Sequence, residues 1–65
     1  MSNIAFGVRR ALVEGLVEKG VHPNEAKSWA AANLEAGVAH AQSLLKGQRR
    51  PAVVYRQLKD WAKSK

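Results

Sequence analysis

The sequence predicts an all-α domain of three helices, about residues 3–19, 23–46 and 51–63, and three observations predict it. The chain is punctuated twice in the same way, by Gly20-Val21-His22-Pro23 and by Gly47-Gln48-Arg49-Arg50-Pro51. Glycine tolerates the backbone turn past a helix end, and proline's missing N–H costs nothing in a first turn, so glycine followed by proline marks consecutive helices. Between these marks apolar residues recur every three or four positions. Nothing reads as a strand: Val53-Val54-Tyr55 is the best β-branched run, but it follows a helix-starting proline and continues with helical spacing.

In the first helix, which Ser2 or Asn3 can cap, steps of about 100° per residue put Ile4, Val8, Ala11, Leu12 and Gly15 on one face, with Leu16 at its edge. Phe6, Val13 and Val17 lie roughly opposite. Between the two groups runs a ladder of Arg10, Glu14 and Glu18, with one opposite-sign and one like-sign step, expected to be a solvated face. A helix apolar on two sides exceeds one intramolecular layer, so Phe6, Val13 and Val17 are expected to meet a second subunit, which makes the protein a homodimer forming a helical bundle. Coverage of both sides by the other two helices is the competing expectation.

His22 before Pro23, with Glu25 in the first turn, opens the second helix. Its expected buried stripe is Ala26, Ala30, Leu34, Gly37, Ala41, Leu44 and Leu45. A mid-helix glycine costs about 1 kcal/mol relative to alanine, so Gly37 is expected to admit a crossing helix, near Gly15 of the first. Trp29, Asn33, Ala36 and His40 line the stripe's edge, as core or as a binding site. In the third helix Val54, Leu58 and Trp61, with Tyr55 and Ala62, form the apolar stripe; Arg56, Lys59 and Lys63, spaced i, i+3, i+7, form a basic one about a third of a turn away.

Sixty-five residues leave room for one core, so residues 1–65 form a single domain. A chain of that size buries only about 60% of the surface its unfolded form exposes, which makes a partner useful. With no cysteine there is neither a disulfide staple nor a thiolate ligand or nucleophile. The net charge of +6 is concentrated. Residues 1–45 hold four basic and four acidic groups, whereas residues 46–65 hold seven basic groups and only Asp60 as an acid.

Enzymatic chemistry is not expected. His22 and His40 lack metal-ligand spacing, no carboxylate is placed to orient His40 toward Ser43, and no glycine-rich phosphate loop is present. No cofactor or metal is expected. No basic region precedes an apolar stretch in residues 1–20, and no apolar run approaches the roughly 18 residues of a membrane span, so a cytoplasmic location is expected.

Binding is better supported. Lys46, Arg49, Arg50, Arg56, Lys59 and Lys63 are the candidate nucleic-acid contacts. Arg49 and Arg50 sit at the positive end of the third helix, where the helix dipole disfavours them and a phosphate would be held by free N–H groups and two guanidinium forks. The turn and third helix are arranged like the second half of a helix-turn-helix. Gln57 is the third helix's one amide base reader, so phosphate contacts are expected to dominate, on DNA before RNA, with about six phosphates per subunit and a steep salt dependence. The function expected is regulation without catalysis. The alternative is a small helical adaptor or inhibitor of a larger protein, steered by its basic end.

Overall fold

The computed structural model describes residues 4–47 and 50–65. Among these, four helices follow one another: α1 (Ile4–Lys19), α2 (Pro23–Ala32), α3 (Leu34–Gly47) and α4 (Pro51–Lys63). The fold is all-helical, as expected. The candidate caps Ser2 and Asn3, and Arg49 of the basic turn, lie outside the described residues.

The helix count differs from the expected three because the segment 23–46 is interrupted at Asn33. Its backbone turns to φ −113°, ψ 16°, and its main-chain N–H and side-chain Nδ2 both donate to the Trp29 carbonyl at 2.9 Å. An asparagine amide that competes for a nearby carbonyl offers the chain an alternative to continuing the helix. The Asn33 carbonyl then accepts from Gly37 N–H at 2.9 Å, and α3 proceeds. A straight helix over 23–46 would run about 36 Å at 1.5 Å per residue; with the break the whole molecule measures 31 Å along its longest axis.

The first Gly-to-Pro link behaves as expected. Gly20 takes φ +108°, while its N–H donates to the Val17 carbonyl and that of Val21 to the Leu16 carbonyl, both at 3.0 Å. This is the paired closure that satisfies two carbonyls at a helix end. Two residues later His22 caps α2, its Nδ1 accepting from Asn24 N–H at 3.1 Å, with Pro23 in the first turn.

α2, α3 and α4 all pack on α1. The core is Val8, Ala11, Leu12 and Leu16 of α1, Ala26 and Ala30 of α2, Ala41 of α3, and Val54, Leu58 and Ala62 of α4. Half of these are alanines, so the backbones must come close. Gly37 faces α1 as expected of a crossing glycine, but a Cβ there would stand 2.9 Å from Val8 and Leu12, not against Gly15. Gly15 serves another contact: a Cβ on it would lie 2.5 Å from the Lys59 carbonyl oxygen and 3.2 Å from Ala62 Cβ. Each glycine therefore admits a different helix to α1.

Candidate nucleic-acid interface

That close approach at Gly15 sets the electrostatics of the basic helix. With the Lys59 backbone drawn onto α1, the next turn of α1 brings Glu18 within reach of two cations on one side of α4. Lys59 Nζ lies 2.7 Å from Glu18 Oε2 and Lys63 Nζ 2.8 Å from Oε1. One carboxylate thus serves two ammoniums, one per oxygen. The hydrogen bond from Lys59, then that from Lys63, hold the Glu18 carboxyl down at about 2 against burial that pushes it the other way, and donating to Glu18 raises Lys59. The stripe that reads as purely basic in sequence is therefore crossed by an acid from another helix, and Glu18 is no merely solvated rung.

Of the other candidate contacts, Arg56 shares a groove with Lys59. Lys46 at the end of α3, Arg50 at the N-cap of α4, and Arg56 are exposed. Arg56 lines a groove of about 470 Å³ between α1 and α4 together with Tyr55, Lys59 and, from α1, Arg10 and Glu14. Arg10 Nε binds Glu14 Oε2 at 3.2 Å, the opposite-sign step of the ladder. The N-terminus of α4 offers an anion fewer donors than its sequence implies. Pro51 has no N–H, and those of Val53 and Val54 both donate to the Arg50 carbonyl at 3.1 Å, which leaves Ala52 in the first turn.

The edge of the second predicted helix proves to be a packed aromatic cluster. His40 stacks on Trp61 with ring centroids 5.1 Å apart and 21° between planes, Trp29 meets the same indole at 6.1 Å and 59°, and Lys65 Nζ stands 4.9 Å from its centroid. All three rings are half-buried. Among the described residues no three or more His, Asp or Glu side chains converge as a metal-binding group, and no helix is long and apolar enough to cross a membrane.

The second apolar group of α1 is divided by the fold. Phe6 is 79% exposed and Val17 40%, whereas Val13 packs partly against the core. The set expected to seek a partner as one surface is thus two exposed side chains flanking a half-buried one.

The residue that sequence reasoning missed is Glu18. Its signal was the like-sign step from Glu14 to Glu18, which leaves the second carboxylate without a cation one turn before it on its own helix. Compared with known proteins, the chain matches no family model, no curated protein and no solved structure.

Proposed function

We propose that the protein binds nucleic acid, duplex DNA in preference to RNA, as a regulator without catalytic activity. The observation that supports this is the one-sided charge of α4 and its approach: residues 46–65 carry seven cations and one acid, and the carboxylate that reaches in from α1 offsets only part of that excess. Lys46, Arg50 and Arg56, with Arg49, are the leading phosphate ligands. Lys59 and Lys63 are held by Glu18 and join only where a phosphate displaces it. Gln57 offers little base reading, so affinity is carried by the backbone charge of the duplex and falls steeply with salt.

Anisotropy of a labelled duplex across a salt series tests the reading. Binding is expected at about 50 mM salt, with Arg56→Ala lowering the slope of log K against log salt by about one. Glu18→Gln should do the reverse, tightening binding and steepening the slope by releasing two lysines. No binding at about 50 mM salt, or an Arg50→Ala, Arg56→Ala double variant indistinguishable from wild type, ends the reading.

A second reading, a helical adaptor that docks through α1 on a larger protein or on a second copy of itself, is favoured by a different observation, the exposure of Phe6 (79%) and Val17 (40%).

A further inference from the structure

We infer that the groove between α1 and α2 around Phe6 takes an amphipathic, acidic helix of a partner protein. The inference rests on the reading of α1 as a docking face and adds which occupant that face selects. The groove measures about 380 Å³ and is lined by Phe6, Arg9, Arg10, Val13, Glu14 and Lys27. Its apolar part is a seam, with Phe6 standing 79% exposed beside Val13, which is anchored against the core. Charge surrounds that seam unevenly. Three cations face one carboxylate, and the carboxylate is already bound to Arg10 at 3.2 Å. Arg9 on α1 and Lys27 on α2 make no ion pair among the described residues.

An apolar seam between two helices fits the side chains of a third at i, i+4 and i+7. Unpaired cations on both banks select carboxylates on both flanks of that helix. A second copy of this chain is a poor occupant by the same criterion. A two-fold contact lays the same patch on itself, setting a surface with three cations and one acid against another of the same sign. The one acid that lines the seam, Glu14, is already held by Arg10 on its own helix.

The test uses the full chain and a fluorescein-labelled designed helix with leucines at i, i+4 and i+7 and glutamates on both flanks, alongside its counterpart with lysines. Anisotropy should show the glutamate helix binding about tenfold or more tighter than the lysine helix, with affinity falling as salt rises. Phe6→Ser should weaken binding about tenfold or more; this exposed position leaves the fold intact, which circular dichroism checks. Arg9→Glu with Lys27→Glu should reverse the preference. Equal binding of both helices, or indifference to Phe6→Ser, overturns the inference. Sedimentation that shows a dimer dissolved by Phe6→Ser gives the seam to a second copy and overturns the acidic-partner claim while sparing the docking reading. A monomer that binds neither helix overturns both. Displacement of the glutamate helix from wild type by duplex DNA with equal competition in Arg56→Ala assigns the seam to nucleic acid and likewise overturns the claim.

Discussion

Glu18 joins two helices through a single side chain, and its behaviour in acid follows from its partners. The folded carboxyl titrates at about 2 against an ordinary 4.5, so the unfolded chain takes up the proton first as pH falls. The stabilisation from this carboxylate is therefore complete above about 4.5 and is lost as pH drops toward 2. Carbon-detected NMR titration of the Glu18 carboxyl should place its midpoint near 2, and Glu18→Gln should flatten the acid limb of a stability profile measured with urea. A midpoint at the ordinary value would show that the lysines do not hold it in solution. Gly15 is the other decisive residue, because a methyl there meets main-chain atoms of Lys59 that cannot swing aside. Gly15→Ala is expected to cost about 1–3 kcal/mol in urea unfolding despite alanine's better helix propensity. Gly37→Ala meets only the ends of Val8 and Leu12 side chains and should cost less.

Among the elements, what the sequence showed and what it hid divide along one physical line. Spacing within a helix gives the direction of each side chain around its own axis. That is why, of the face Ile4, Val8, Ala11, Leu12 and Gly15 with Leu16 at its edge, all but the half-buried Ile4 are buried, and why Val54, Leu58 and Ala62 are buried on α4 while Tyr55 and Trp61 of the same stripe are half-buried. Spacing does not say which helix lies on which face, so Gly37 was legible as a crossing point while its partners were not, and Lys59 and Lys63 could not be seen to meet Glu18. The break at Asn33 was written in the chain, since asparagine's amide favours helix ends over interiors. The apolar stripe runs through it without a phase change, and periodicity therefore conceals it. Asn33→Ala removes the side-chain hydrogen bond to the Trp29 carbonyl and should destabilise the protein by about 0.5–1.5 kcal/mol, the net worth of one such bond, even though alanine is the better helix former. Greater stability in urea would mean that the bend is imposed by packing alone.

The whole molecule is a thin core enclosed by two kinds of surface. Its largest fully buried side chains are Leu12, Leu58, Val8 and Val54, and alanines fill the rest. A domain of this size commands only about 3–5 kcal/mol from such a core, while a buried Leu→Ala costs about 2–5 kcal/mol. Leu12→Ala should accordingly leave much of the chain unfolded at 25 °C by far-ultraviolet circular dichroism; a fully helical spectrum would show a reserve of stability that the core does not account for. Around this core lie the cations of α4, with Glu18 between two of them, and the exposed Phe6 on the α1–α2 side, itself ringed by Arg9, Arg10 and Lys27.

The two tryptophans stand together, Trp29 and Trp61, with His40 on the same indole, at the side of the molecule where α2, α3 and α4 meet. Intrinsic emission is thus a local instrument. Tryptophan emission will change when α4 loosens and carries its indole away from His40 and Trp29. The indole pair therefore reports directly on the packing of α4, while a label introduced beside Phe6 reports directly on the seam, so that two signals read the two surfaces separately.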